Sequence, residues 1–371
     1  MRRAFAVGAV AAAILVLPLT SCSAVAEPGN DIANASASLP MELAIPTLPD
    51  PEPAAVRFLA VGDILLDRLP GARIAREGWK APFASVKPLV EGADLAFANL
   101  ECPASYPGVP YPGKPENVTF NADPGALLGI AWAGFDVVSL ANNHMNDHGP
   151  KAVAETLAAL DLIGVARSGA GTDLAEARAP AWLEAGGARV AVLSYAEAWW
   201  SVTGAGEATP GVAHAVTDHM VADVGAALAD GADYVLVSVH WGEEHARSPT
   251  AFQRSFGQAA IDAGAAAVLG HHPHVLQGVE RHGRGVILYS MGNFVFDMAA
   301  DTTYDSAAFV LTLSGGGVEA LEIRPLRIDR GLWAPRAATG SDGERILGTL
   351  RAMSAKLGTE LAVEAEAAYL H

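Results

Sequence analysis

An α/β fold built largely on parallel strands is predicted by three features of this 371-residue sequence. Apolar, β-branched-rich runs recur from Val56 onward, and each is nearly continuous, as a sheet covered on both faces requires. Segments with helical spacing separate them, and this alternation implies βαβ units with right-handed crossovers. Each run also ends abruptly in polar residues, and in open α/β sheets ligands bind at the carboxyl edge of the strands.

The chain opens with Arg2 and Arg3 and an apolar stretch over 4–17, too short for a membrane span and ending in small residues, as a secretory signal does. Leu19, Thr20, Ser21 and Cys22 match a bacterial lipobox. Residues 1–21 are therefore expected to be a lipoprotein signal peptide and Cys22 a lipidated anchor on the extracytoplasmic face of the cell membrane. Cys102 is then left without a partner, so no disulfide framework is available. Residues 22–55, rich in Pro, Ala, Ser and acidic side chains, read as a flexible tether. The folded domain is expected over 56–330, followed by a C-terminal helical extension over 331–371. With 51% hydrophobic residues the chain holds enough apolar surface for a sizeable core. Its net charge of −17 argues against nucleic acid and against electrostatic binding to anionic lipid. An anionic substrate would have to be attracted locally, by cations or a metal.

The strand-like runs cover 56–63, 94–101, 135–144, 190–197, 234–240, 266–274 and 286–297. Helical spacing marks 82–91, 124–133, 150–163, 219–230 and 250–263. Beyond 297, the runs 307–313 and 318–326 read as an antiparallel hairpin turning through three glycines. A helix is predicted over 345–357 and a frayed, Ala/Glu-rich helix over 360–371.

Asp63, Asn99, Glu101, Asn143, His144, His240, His272, His274 and Asn293 all fall at the carboxyl ends of these runs. The stretch 266–280 is the densest: His271, His272 and His274 arrive within five positions. In an extended segment His272 and His274 share a face, which makes them half of a metal site. Asp, Glu, Asn and His donors suit Mn, Fe, Zn or Mg. Left unpaired at a sheet mouth they are costly; a divalent ion relieves that cost and can lower the pKa of bound water to about 7.

The ordered motifs GDILLDR (62–68), NLE (99–101), ANNHMNDHG (141–149), HWGEE (240–244), GHHPHVLQGVE (270–280) and SMGNFVFD (290–297) resemble those of the CapA-type capsule-biosynthesis proteins. That family is linked to poly-γ-glutamate synthesis and export and is related to the calcineurin-like metallophosphoesterases. The resemblance implies a four-layer αββα sandwich of metallophosphoesterase type and a centre of one or two divalent ions. It implies metal ligation by Asp63, Glu101 (with Asn99 beside it), Asn143, His240, His272 and His274. His144 would act on the leaving group or the developing charge. The sequence departs from the phosphoesterase pattern at Leu65, where a ligand His is usual, and at Glu101, where Asp is usual. The implied function is that of a cell-envelope lipoprotein whose hydrolase-like site acts on an anionic polymer or wall component. The alternatives are a non-catalytic subunit of a polymer-synthase complex and an extracytoplasmic phosphoesterase.

Neighbouring residues allow plainer readings. Arg68 would hold an anionic substrate or pair with Asp63 or Asp67. Glu243, Glu244 and His245 read as exposed, and Trp199 and Trp200 as packing under a loop or as a substrate wall. His214, His219, His282 and His371 read as surface residues. Asn293 and Asp297 read as loop-fixing, and Cys102 as a small apolar filler.

Overall fold

Side chains that alternate along each strand feed different apolar layers, and three such layers define the architecture. The computed structural model describes residues 54–106, 110–112, 114–199 and 201–371. The signal segment, Cys22, nearly all of the tether and Trp200 lie outside the described residues.

The strands in chain order are β1 (Val56–Ile64), β2 (Leu95–Leu100), β3 (Val137–Ser139), β4 (Ala166–Ser168), β5 (Ala170–Gly171) and β6 (Ala181–Ala185). They continue with β7 (Ala188–Ala196), β8 (Gly211–Val212), β9 (Tyr234–His240), β10 (Ala267–His271), β11 (Val279–His282) and β12 (Gly285–Leu288). The last are β13 (Asn293–Val295), β14 (Asp305–Ser314), β15 (Gly317–Asp329), β16 (Ala334–Ala337), β17 (Ala362–Glu364) and β18 (Ala367–Leu370). One sheet runs β17-β18-β15-β14-β1-β2-β3-β4, with β13 added to β1 and β16 to β15; the second runs β11-β12-β10-β9-β7-β6. Strands β5 and β8 form a small separate pair.

Phe58 and Ala60 of β1 share the middle layer with Phe97, Leu236, Leu269 and Leu288, so the two sheets pack face to face. Leu59 and Val61, on the opposite face of β1, meet Ile130, Leu157 and Leu160 from the helices Leu128–Ala133 and Gly149–Ile163. On the outside of the second sheet, Val235 and Val237 meet Val224, Phe256 and Ala260 from the helices Thr217–Ala229 and Ala251–Asp262. This is the four-layer αββα arrangement. Burying each large apolar side chain in these layers contributes roughly 1.5–3 kcal/mol.

The predicted parallel strands and the 307–326 hairpin are present, and β9 has the expected bounds. The strand expected over 135–144 is only Val137–Ser139 and the helix expected over 345–357 is Gly340–Ala355, and four further differences bear on the layers. The helix expected over 82–91 shrinks to Lys87–Val90. A helix the periodicity did not reveal, Arg68–Glu77, follows β1. The single run 286–297 divides into β12, in the second sheet, and β13, in the first. Residues 360–371 hold the β17–β18 hairpin instead of a frayed helix, because β18 pairs with β15 and buries Ala368 and Leu370 in the middle layer. No helix among the described residues is long and apolar enough to cross a membrane.

Candidate metal centre

The centre is assembled by strand register. Asp63 at the end of β1 lies opposite Asn99 of β2 and Asn293 of β13, and His240 at the end of β9 lies opposite His271 of β10. These pairings are parallel, so the polar strand ends share one edge of the sandwich. Close backbone approach makes this register possible. A Cβ on Gly62 would stand 2.0 Å from the Gly292 carbonyl oxygen, and one on Gly270 would stand 2.1 Å from that of Tyr289. Only glycine fits at either position.

His272 and His274 are delivered differently from the expectation. Both have positive φ, +92° and +55°, so they belong to a turn and not to an extended segment. The left-handed backbone of a non-glycine residue costs on the order of 1–3 kcal/mol and persists only where the surroundings enforce it.

The predicted ligands converge. Single donor atoms of Asp63, Glu101 and His240 lie within 4.8 Å of one another, as do those of Glu101, His272 and His274. His240 Nε2 is 3.7 Å from Glu101 Oε1 and 2.9 Å from Asn143 Oδ1. His272 Nδ1 is 3.2 Å from His240 Nε2, and His274 Nε2 is 3.5 Å from Glu101 Oε1. Asn99 donates to Asp63 Oδ1 at 2.9 Å and lies 3.5 Å from Glu101 Oε2. All six predicted metal ligands thus gather at one point, with Asn143 at the more exposed margin.

Burial sets the electrostatics. It pushes Glu101 well above the usual carboxylate range, and the charge of Asp63 adds to the rise. Burial acts on Asp63 in the same sense, but the hydrogen bond and charge of His271 and the charge of His274 hold it below the ordinary value. Burial lowers His240 well below an ordinary imidazole, helped by the surrounding histidines, and lowers His272 to about 3. Both imidazoles are therefore neutral, the form that ligates metals.

The donor set fits a divalent cation by a second test. Glu101 Oε1 and His271 Nε2 are buried and have no hydrogen-bond partner in the described structure. A buried carboxylate oxygen without a partner costs about 1–3 kcal/mol or more, and a cation among Asp63, Glu101, His240, His272 and His274 removes that penalty at Glu101. Leu65 takes no part; it is fully buried in the apolar layer beneath the helices.

His144 stands beside this cluster in an arrangement of its own. Its Nδ1 lies 2.7 Å from Asp147 Oδ2, and Phe120 stacks on the ring at 4.1 Å between centroids. Asp147 also accepts from the Phe120 backbone amide and from Lys114 Nζ. Lys114 in turn donates to the Asn143 carbonyl at 2.7 Å. Burial lowers His144 to about 4, against the opposing pull of Asp147. In the tautomer whose Nδ1–H donates to Asp147, Nε2 carries the lone pair that can take up a proton.

Other expectations meet mixed outcomes. Arg68 pairs with Asp297 and lies over Phe120 at 5.2 Å, not against Asp63 or Asp67; Asp67 instead caps the helix that Arg68 begins. Trp199 tilts over His272 at 4.4 Å and flanks His240, so it walls the site. Asn293 holds His274 through a 2.8 Å contact to Nδ1. Glu243, Glu244 and His245 are exposed, and Cys102 is a buried apolar filler whose thiol is shifted up by burial. His214 is half-buried beside Gly204, not on the surface.

Three participants, Asn142, Asp147 and Lys114, escaped the sequence reading, and His271 was read only as one of a histidine triplet with no role of its own. His271 lies 2.8 Å from Asp63 Oδ1, and Asn142 bonds Asn99 and the Leu100 carbonyl. Asp147 was adjacent to the Asn-His motif, and its three-residue spacing from His144 was an available signal. Lys114 comes from a Pro/Gly-rich loop with no periodicity, and nothing local marked it.

The fold and the cluster together define an αββα protein with a buried His/carboxylate centre suited to a divalent metal. The chain belongs to the family described as bacterial capsule synthesis protein PGA_cap, whose sequence pattern matches residues 57–298. It is 33% identical over 285 residues to the capsule biosynthesis protein CapA of Bacillus anthracis, covering 76% of this chain and 69% of that one. It is 31% identical over 276 residues to the PGA biosynthesis protein CapA of Bacillus subtilis (strain 168), covering 74% and 72%. Among solved structures, the NAD nucleotidase NadN of Haemophilus influenzae aligns with a TM-score of 0.46 at 10% identity. That alignment covers 81% of this chain and 56% of the nucleotidase, so this chain spans little more than half its length.

Proposed function

We propose that this chain is a metal-dependent hydrolase of the cell envelope that acts on an anionic polymer of the poly-γ-glutamate type, held at the membrane through lipidated Cys22. The observation that carries the proposal is the buried meeting of two carboxylates and neutral imidazoles, with an orphaned Glu101 oxygen, in a chain of a capsule-synthesis family. Its relatives' names place those proteins in capsule and PGA biosynthesis, which supports work beside a polymer-synthesis machinery.

Asp63, Glu101, Asn143, His240, His272 and His274 would hold the cation, whichever of Mn, Fe, Zn or Mg it is, as one ion or two. A bound divalent cation supplies Lewis acidity and nucleophile activation near neutral pH. The chain's own contribution is positional and protonic. His271 and Asn99 orient Asp63, Asn293 orients His274, and Trp199 shields the His240–His272 edge from water. His144, steadied by Asp147 and Phe120, takes the attacking water's proton at Nε2 and hands it on to the group that leaves. Arg68, one-third exposed and anchored by Asp297, orients the anionic substrate.

One observation favours a second reading, a non-catalytic assembly subunit that uses the metal for structure. Leu65 replaces a usual ligand and is committed to the apolar layer.

The test is turnover of γ-glutamyl peptides and of generic phosphodiesters by the metal-loaded protein. The proposal expects γ-glutamyl cleavage that falls roughly 100-fold or more in His144→Ala, together with metal content that drops in His272→Ala. Phosphodiester turnover alone would point to an extracytoplasmic phosphoesterase. Absence of turnover on both, with metal retained, would sustain the assembly reading. Fatty-acid label retained after Cys22→Ala would end the anchor.

A further inference from the structure

Among the described residues, four cationic side chains have no ion pair, side-chain hydrogen bond or cation–π contact: Arg247, Arg254, Arg351 and Lys356, of which Arg254 acts electrostatically on the Tyr289 hydroxyl. Three of them, Arg247, Arg254 and Lys356, line a single cleft of about 580 Å³ between the helices Ala251–Asp262 and Gly340–Ala355. The fourth, Arg351, is exposed on the second of those helices. In a chain of net charge −17, most basic side chains are neutralised by nearby acids. Three that are not, gathered in one concavity, form a local field for an anion. The lining holds one uncommitted acid, Glu344, while Arg345 is spoken for by Asp305 and Asp342.

The floor is kept open at a cost to the helix. Gly348 lies in the interior of Gly340–Ala355, where glycine is less favourable than alanine by about 1 kcal/mol. A Cβ there would meet nothing within 4 Å. Glycine is therefore not required by packing at that point, and its effect is a wider groove. Ala352, Met353 and Leu357 complete an apolar floor, and no aromatic side chain lines the cleft.

The geometry points to this cleft as a docking site for a polycarboxylate chain that leads into the metal centre. Separate point charges above an apolar floor match carboxylates spaced by methylenes. The absence of aromatic rings removes the stacking by which single-stranded nucleic acid is held. The cleft and the centre are linked along one segment of the chain. Gly278 follows His274 by four residues, so their Cα atoms are at most about 14 Å apart. The loop bearing Arg247 is tied to the same segment by the His245 N–H to the Pro273 carbonyl and by Gln277 Nε2 to the Ala246 carbonyl. The identity of the ligand rests on the function proposed above; the site itself rests on the unpaired cations.

The test is anisotropy of a short, labelled γ-glutamate oligomer titrated with the full chain at low salt. The cleft predicts that Arg254→Glu with Lys356→Glu weakens binding roughly tenfold or more, a larger loss than His272→Ala gives. Gly348→Leu, which favours the helix but fills the groove, should weaken binding with thermal stability unchanged or raised. Unaltered affinity in the charge-reversed and Gly348→Leu proteins would overturn the site. Loss of binding confined to His272→Ala would also overturn it, placing the polymer at the centre alone and leaving the hydrolase proposal standing. Binding through the cleft without turnover in any protein would sustain the site and count against hydrolysis. Displacement by polyphosphate at concentrations far below those of unlabelled γ-glutamate would overturn the carboxylate assignment.

Discussion

His144 and His272 keep neutral imidazoles far into the acid range, at about 4 and about 3, against an ordinary value of 6.5. The unfolded chain takes up those protons near 6.5, while the metal-free fold refuses them. Protons therefore favour unfolding between 6.5 and these lower values, and the stability tied to neutral His144 is present above 6.5 and lost as pH falls. Glu101, raised by burial, works in the opposite sense, so the His144 share is best read by difference. Urea unfolding of metal-free wild type and His144→Asn at pH 7.5 and 5 should show the wild type losing on the order of 2 kcal/mol more. Equal losses would mean that His144 is not held neutral. Asn293, held against His274, supports a second expectation: Asn293→Ala should weaken metal binding roughly 10- to 100-fold, measurable by competition with a chelating dye. At this scale the convergence of these side chains was readable because Asp, Asn and His at strand ends have few other uses. Their supports, His271 and Lys114, were not, since each is defined by a partner far away in the chain.

Elements bring those residues together through tight backbone contacts. The apolar run 286–297 reads as one strand, yet β12 and β13 serve different sheets, with Gly292 at positive φ between them. This crossing places Asn293 opposite Asp63. Gly62→Ala would drive a methyl into the Gly292 carbonyl, and forced overpacking of this kind costs about 3 kcal/mol. Lower thermal stability together with reduced metal content is the expected result. A variant that binds metal normally would show that β1 and β13 need not touch. The helix Ala251–Asp262 opens with a Thr250–Gln253 capping box. Thr250→Ala should cost about 1 kcal/mol in denaturant unfolding without loss of metal. Periodicity identified this helix well because its apolar stripe is long. It missed Arg68–Glu77, whose buried members are Pro70 and Arg73 instead of an apolar stripe.

For the whole molecule, the carboxyl-terminal hairpin closes what would otherwise be an open edge. Strand β18 covers β15 and places Ala368 and Leu370 in the layer between the sheets. Removing residues 362–371 should lower the melting temperature by several degrees, about 1–2 kcal/mol for each lost apolar contact region. It should also promote association through the bared strand, visible by light scattering. Unchanged melting and monodispersity would mean that the hairpin is dispensable.

By itself the sequence determined that this is an α/β protein with polar groups at the carboxyl ends of its strands, and its ordered motifs resembled a capsule-biosynthesis family. Those properties are carried by local alternation, by residue type and by motif spacing. Only the tertiary structure decided that β13 leaves one sheet for the other, that Arg68 answers to Asp297, and that three unpaired cations share a cleft. Each depends on contacts between segments distant in the chain, whose free energy is settled when the layers pack and leaves no periodic trace along the residues.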